Sequence, residues 1–433
     1  MGKKKVVVVG TGVRGLWSYM QHIVRGHLSD ICELCGVYDI VPSRARNMRT
    51  RLAADFPIFD DFDTMLDTVR PDFVLVTTID SNHHEYIIRA LDKGYDVISE
   101  KPLTNTRKKA LAIMEAEKRS GHKVRVIFNM RYMKPFEDLK RVIRSGVIGE
   151  VKHVDFQWLL DRDHGADYYR RWHRYMKNTT SLLVHKSTHH FDVINWVLGK
   201  RPVSVYADCT LDFYGKCGPY RGASCHDCAH TAECPFFWDI LSKENINYKL
   251  YYHDVYPESH YNRDGCVFAE DIDIFDRMSL LVRYEGGVTM NYSLVTYADE
   301  EGPRFRFVGT KGTVEMEYYA SGPRAHTKRG TTFADEVAAS GAKVGGDATG
   351  TIAIRILPAG GEEQVVLTGF TKAGEHGGAD VAMRDDIFRA PNPNDDLGHV
   401  APSIDGYYSL AIGDMAVASV KAGRPVGIDE LLD

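Results

Sequence analysis

Several groups of residues in this chain have types and spacing that suit chemistry. Gly10-Thr-Gly12-Val13-Arg14-Gly15 closes a short apolar run and opens a helix-length pattern. In that setting Gly10 permits a tight turn and Gly12 lets the backbone approach a pyrophosphate. Gly15 lets the helix pack closely, and the helix N-terminus offers free N–H groups to phosphates. The next apolar run ends in Asp39. A carboxylate there accepts hydrogen bonds from ribose hydroxyls and repels a 2′-phosphate, which favours NAD over NADP; Arg44 is the residue that would welcome the phosphate instead. Lys101 follows a further apolar strand and precedes Pro102. Open α/β sheets place ligands at such strand ends, and a cation there steadies a developing alkoxide. His185, His189 and Asp192 stand at i, i+4 and i+7, one face of a helix.

Two other stretches carry chemistry-bearing side chains. Between Asp161 and Arg174, His164, Tyr168, Arg171 and Trp172 are interleaved with further charges at no clear period. Aromatic faces beside polar groups suit a sugar, covering its C–H surface while binding its hydroxyls. Farther on, Cys217, Cys225, Cys228 and Cys234 crowd together, with His230 among them. Three thiolates plus Cys217 or His230 would make a closed tetrahedral zinc site. Iron–sulfur spacing fits less well, and free thiols or a disulfide are the other readings. Cys32 and Cys35, also spaced CxxC, read as small core residues of a strand.

The elements that must position these groups fall into two patterns. Up to about residue 130, strand signals (4–9, 33–38, 72–78, 95–99, 123–129) alternate with helix signals (14–25, 43–55, 82–93, 107–120). Continuous apolar strands alternating with helices predict a doubly wound parallel α/β sheet of the Rossmann type. From 131 to 433 the pattern changes. Helices are expected at 136–145, 187–198 and 407–422. Two-residue alternation is expected at 150–160, 202–210, 275–284, 288–295, 305–309 and 313–318. That is an α+β domain with a large, mostly antiparallel open sheet. Residues 209–261 and 321–351 read as long loops, the first Cys-rich and the second a candidate mobile segment.

Composition narrows the function class. The chain has 433 residues, 44% hydrophobic and 26% charged, with net charge −5. No basic excess draws it to nucleic acid, and no apolar run reaches a membrane-spanning length. Lys3, Lys4 and Lys5 lead straight into a strand-sized run, without the apolar stretch of a secretory signal, so a cytoplasmic protein is expected.

With the glycine-rich turn, Thr77-Thr78-Ile-Asp-Ser-Asn82-His83, Glu100-Lys101-Pro102, Asn129-Met-Arg131-Tyr132, Ser145–Val151 and His185-Lys-Ser-Thr-His189-His-Phe-Asp192 together resemble the Gfo/Idh/MocA oxidoreductase family. The resemblance spans most of the chain, tight over the first 200 residues and loose after Pro202. It implies that Thr78, Asn82, His83, Glu100 and Asn129 face the cofactor with the glycine-rich turn, and that Arg131, Tyr132 and Asp192 face the substrate. It implies Lys101, which also faces the cofactor, and His189 as the catalytic pair, His189 being the base, and His185 is the third catalytic candidate. At His185 most of the family has Asp, so either Asp192 or Asp380 supplies the carboxylate that orients the base, or the chemistry differs.

These readings converge on an NAD(H)-dependent oxidoreductase acting on a hydroxyl of a sugar, sugar derivative or cyclitol. One alternative is a glycoside hydrolase that keeps its NAD and oxidises transiently. The other is a nucleotide-sensing regulator without catalysis. A homo-oligomer, dimer or tetramer, is expected on fold analogy.

Overall fold

The computed structural model describes residues 2–322, 343–346, 352–370 and 378–431. Its first sheet contains β1 (Lys4–Val9), β2 (Cys32–Tyr38), β3 (Ile58–Phe59), β4 (Phe73–Val76), β5 (Asp96–Ser99) and β6 (Val124–Val126). These are parallel and ordered β6-β5-β4-β1-β2-β3, so the strand order reverses beside β1. Val6 to Val9 are at most 1% exposed, as a strand covered on both faces requires. Helices Pro42–Leu52, His83–Asp92 and Arg107–Ser120 follow the expected pattern. The helix after β1 carries a π-helical stretch at Leu16–Met20. Helix Phe62–Val69 was not expected; Asp61 caps it, accepting the Thr64 N–H at 2.7 Å.

The second sheet contains β7 (Val151–Asp161), β8 (Pro202–Thr210), β9 (Arg277–Tyr284), β10 (Thr289–Ala298), β11 (Gly302–Gly309), β12 (Gly312–Glu317), β13 (Lys343–Gly346), β14 (Ile352–Pro358) and β15 (Gln364–Thr368). With a short C-terminal strand it makes ten, antiparallel except for the β7–β10 and β13–β15 pairs. One face packs on helices, and Val154, Val282, Met290 and Phe307 on it are fully buried. β13 falls inside the stretch read as the 321–351 loop. The rest of that loop beyond residue 322 lies outside the described residues, as do His376 and Gly377.

The C-terminal segment returns to the first sheet. β16 (Ala401–Pro402) pairs antiparallel with β6, and β17 (Val426–Gly427) closes the edge of the second sheet on β8. Helix Ser403–Ala422 runs between them and packs on both Arg107–Ser120 and Ser187–Leu198. Fully buried Arg107 fastens this junction, donating to Asp414 at 2.7 Å and to the Gly427 and Ile428 carbonyls at 2.9 Å.

Residues 161–174 are not the irregular stretch their mixed pattern suggests. They form helix Arg162–Arg170 and a 3₁₀ turn, Trp172–Arg174. Asp161 caps the helix through the His164 N–H at 2.9 Å, and Tyr168 and Tyr169 are buried beneath it. Burial of two large rings outweighs the missing period. Among the described residues no helix is long and apolar enough to cross a membrane.

Candidate active site

The glycine-rich turn behaves as its spacing predicts. Gly10 has φ +88°, and a Cβ there would lie 2.8 Å from the Thr77 backbone. A Cβ at Gly15 would meet Thr77 Oγ1 at 2.9 Å, so this glycine serves close packing. Beside the turn is a cavity of about 300 Å³. Gly10, Gly12, Val13, Arg14, Asp39, Arg44, Thr78, Asn82, Arg171 and Trp172 all line it, together with Tyr252 and Tyr261. Asp39 is buried, and its oxygens accept from Thr11 N at 2.6 Å, Val41 N at 2.8 Å and Arg44 Nη1 at 3.2 Å. This carboxylate therefore shapes the turn as well as facing the cavity. Arg44 is tied in place by the Tyr251 carbonyl at 3.1 Å.

Four residues expected at the cofactor stand behind the cavity wall. Glu100 accepts from Arg14 Nε at 2.6 Å and from the Tyr19 hydroxyl, locking the first helix to the Glu-Lys-Pro turn. His83 is buried with both ring nitrogens facing carbonyls, Pro102 O at 2.8 Å and Thr78 O at 3.1 Å. Asn129 donates to Asp380 at 3.3 Å. Gly15 is covered by Thr77. These four hold the walls rather than line them.

A second constellation lies inward of Trp172. The expected His185–His189–Asp192 face is divided, because the helix breaks at Lys186 into Leu182–His185 and Ser187–Leu198. His185 Nδ1 is 2.7 Å from Asp80 Oδ2, which also accepts from Thr179 Oγ1 at 2.7 Å. Asp80 comes from the loop after β4 and is 2% exposed. So Asp80 gives His185 a carboxylate partner across the domain junction, whereas His189, the expected base, has no carboxylate on Nδ1 and Asp192 is taken by Arg131. Lys101 Nζ donates to the His185 carbonyl at 3.1 Å. The His185 ring is in edge contact with Trp172 at 5.5 Å and close to His173 at 3.9 Å. Tyr168 approaches both His173 and His185, and His164 joins Tyr168 at 3.1 Å and Glu301 at 2.9 Å.

Charge in this cluster is set by burial. Burial pushes the Lys101 ammonium down to about 8, against the pull of Asp80 and Glu100. Burial, then the Lys101 and Lys186 cations, hold His189 well below the usual imidazole range. Burial also lowers His185, although Asp80 pulls the other way. Asp80 itself stays below the ordinary carboxylate range: burial opposes this, but His185, His83 and Lys101 prevail. The combination is a charged carboxylate accepting Nδ1–H of a neutral His185, and a neutral His189 beside Lys101. His189 Nδ1 is buried without a protein hydrogen-bond partner. Such an atom in a polar cluster marks a place for a ligand's polar group.

Arg131, Tyr132 and Asp192, expected at the substrate, are elsewhere. Arg131 pairs with buried Asp192 through two nitrogens and with Asp405 at 2.9 Å. Tyr132 stacks on His399 at 4.8 Å. Arg131 thereby ties helix Ser187–Leu198 to the C-terminal segment.

The cysteine set also changes. Cys225, Cys228 and Cys234 line a small cavity, but its fourth cysteine is Cys266. Cys217 is exposed, its sulfur 3.6 Å from the Leu211 carbonyl. Cys266 lies 32 positions past Cys234 in the sequence, too far for local spacing to recruit it. Among the described residues no group of three or more His, Cys, Asp or Glu is arranged to hold a metal ion.

Residues 4–128 match the NAD-binding Rossmann-fold domain of the GFO_IDH_MocA oxidoreductase family, and residues 140–428 match its C-terminal alpha/beta domain. The chain belongs to the Gfo/Idh/MocA family. It is an NAD-dependent oxidoreductase of that family. It is 32% identical to YteT of Bacillus subtilis (strain 168) over 99% of this chain and 98% of that one. Inositol 2-dehydrogenase of Acidothermus cellulolyticus is 30% identical over 40% of this chain and 47% of its own length. The solved structure of levoglucosan dehydrogenase, in complex with NADH and levoglucosan, shares the fold with a TM-score of 0.64 at 17% identity, covering 99% of this chain and 100% of that one.

Asp80, His173, Tyr252 and Tyr261 were not singled out by sequence reading. Asp80 carried a signal, since it sits in the strand-end stretch between Thr77 and His83. The two tyrosines carried none, because their role depends on where a long insertion lands.

Proposed function

We propose that this oxidoreductase transfers hydride between NAD and a hydroxyl-bearing carbon of a sugar, sugar derivative or cyclitol. The observation that carries the reading is the half-buried cluster of Lys101 and the Asp80–His185 pair, with His189 within electrostatic reach of Lys101, next to a cavity built on the glycine-rich turn. NAD, when bound, accepts the hydride. Lys101 holds the substrate oxygen and offsets its negative charge. Neutral His189 takes the hydroxyl proton on a ring nitrogen. The Asp80–His185 pair orients the substrate, its imidazole offering the nitrogen away from Asp80. Tyr168, Trp172 and His164 cover the sugar face. Asp39 favours NAD over NADP. The division of labour we infer runs near residue 130, nucleotide before it and substrate after it. Unpaired cysteines fit a cytoplasmic setting. The open face of the second sheet, with Tyr206 and Leu281 exposed, is where we place self-association into a dimer or tetramer.

The decisive test is a panel of free sugars, cyclitols and glycosides incubated with NAD, following net NADH and aglycone release together. Net NADH with a free sugar or cyclitol supports the dehydrogenase. Aglycone release without net NADH moves the function to a hydrolase that retains its cofactor. That second reading draws support from Tyr252 and Tyr261, which cover the cofactor cavity.

A further inference from the structure

The insertion between β8 and β9 is the part of the molecule that the proposed chemistry does not explain. Its cysteine region is built from two chain segments drawn together. Ser224 and Gly265 form an antiparallel bridge, with Cys225 N–H donating to Asp264 O at 2.8 Å and Cys266 N–H to Ala223 O at 3.3 Å. That ladder sets Cys266 beside the Cys225–Cys234 loop. Cys225, Cys234 and Cys266 each open a tight turn: their carbonyls accept from Cys228 N at 3.2 Å, Phe237 N at 3.1 Å and Ala269 N at 3.3 Å.

The sulfurs are supplied with donors in a repeated way. Cys228 Sγ accepts the His230 N–H at 3.4 Å, and Cys266 Sγ accepts the Phe268 N–H at 3.4 Å. In both, the donor is the residue two positions on. All four cysteines line one cavity of about 20 Å³, screened by Tyr220, Phe236 and Phe237. A Cβ at Gly222 would lie 3.0 Å from Cys228 Sγ, so the chain carries no side chain where this sulfur approaches.

We propose that Cys225, Cys228, Cys234 and Cys266 form a four-thiolate site for one zinc ion, which fixes the insertion as the outer wall of the nucleotide cavity. Four soft sulfur ligands suit tetrahedral zinc. The cavity holds about one water-sized sphere, enough for a single ion and too little for an iron–sulfur cage. As they stand the four thiols are not arranged around an ion, so binding requires them to turn inward from the cavity wall. Binding releases the protons of any thiols not already ionised, and no redox step is involved.

The wall is continuous with this site. His226, next to Cys225, is held by Asp264 at 2.8 Å and touches the His253 ring at 5.2 Å. The preceding residue, Tyr252, places its hydroxyl 3.3 Å from Val13 N, the first amide of the phosphate-facing helix. Leu250 and Tyr251 accept from Asn47 at 2.7 Å and Arg44 at 3.1 Å. The insertion packs through Tyr214, Phe236, Val267 and Phe268 onto the core, and a metal crosslink would add a tie between its two distant segments at the cysteine cavity.

The test uses the full-length protein, purified without chelator. Elemental analysis is expected to give about one zinc per chain, as one four-ligand site requires. Cys266→Ser and Cys228→Ser should lose it, while Cys217→Ser and His230→Ala keep it. Protein grown with cobalt should show sulfur-to-cobalt charge-transfer absorption, reduced but present in Cys266→His, which separates ligation from misfolding. Stripping the zinc should speed NAD dissociation roughly tenfold, the scale of one lost hydrogen bond. Metal-free native protein, iron with acid-labile sulfide, or a Cys225–Cys228 disulfide would each overturn the assignment. So would zinc retained by Cys266→Ser. Unchanged NAD dissociation after zinc loss would overturn the role as a wall. None of these readouts depends on the substrate, so they stand apart from the proposed dehydrogenase activity.

Discussion

At the outer end of the site, Gly10, Gly12, Val13 and Asp39 come from two successive strand-to-helix turns and form one side of the cavity, which Arg171, Trp172, Tyr252 and Tyr261 close from the other. At the inner end, Asp80, Lys101, His173, His185 and His189 come from separate segments of both domains, and only contacts across the junction bring them together. The outer region is assembled from backbone N–H groups and glycines, which tolerate solvent. The inner one is assembled from ionisable side chains whose charge depends on being buried side by side. The glycine turn is thus written in one local motif, whereas the ionisable cluster is a property of the docked pair of domains.

The contrast is sharpest for Lys101 and His189. Lys101→Ala or His189→Ala should each lower turnover by roughly 10²–10⁴, while NAD affinity measured by titration changes only a few-fold. Equal losses in both quantities would show that the two ends are not separable.

Asp80→Asn probes the junction more gently. It keeps the shape and removes the charge that fixes the His185 tautomer, so turnover should fall roughly 10–100-fold. Restoration of activity by a carboxylate at the neighbouring face, in Asp80→Asn with His185→Asp, would support a shared orienting role. An Asp80→Asn protein with native turnover would remove this pair from the mechanism.

The pH profile distinguishes the groups by sign. Lys101 sits at about 8, so its cation is present below that value and is lost as pH rises through it. Activity should therefore decline on the alkaline side near pH 8, and Lys101→Arg should move that limb upward. His189 is held neutral well below its ordinary 6.5, so no loss is expected as pH falls through 6.5 in assays shorter than unfolding. Stability behaves differently. Buried His173 and His190 and half-buried His189 have lowered proton affinity in the folded state, and the unfolded chain binds more protons below pH 6.5. The melting temperature should fall steadily from pH 7 to pH 5.

The smallest expected effect is at the outer end. Asp39→Ala should weaken NAD about fivefold, one hydrogen bond's worth, and narrow the gap to NADP by freeing Arg44. Tighter binding of NADP by the native protein would reverse the roles given to Asp39 and Arg44.

Sequence by itself determined the alternating elements of the first domain, the glycine turn and the place of Lys101 at a strand end. Periodicity and glycine stereochemistry act over a few residues, so they are written locally. The helix over residues 187–198 and most strands of the second sheet were equally readable, from two-residue alternation or capping glycines. Helix Arg162–Arg170 was not, because buried tyrosines rather than a period make it. Only the tertiary structure decided that Arg131 and Asp192 satisfy each other. It alone recruited Asp80 to His185 and Cys266 to the cysteine cavity. A charged or polar side chain can serve a ligand or a neighbouring residue, and which one it meets is fixed by long-range packing that no local spacing encodes.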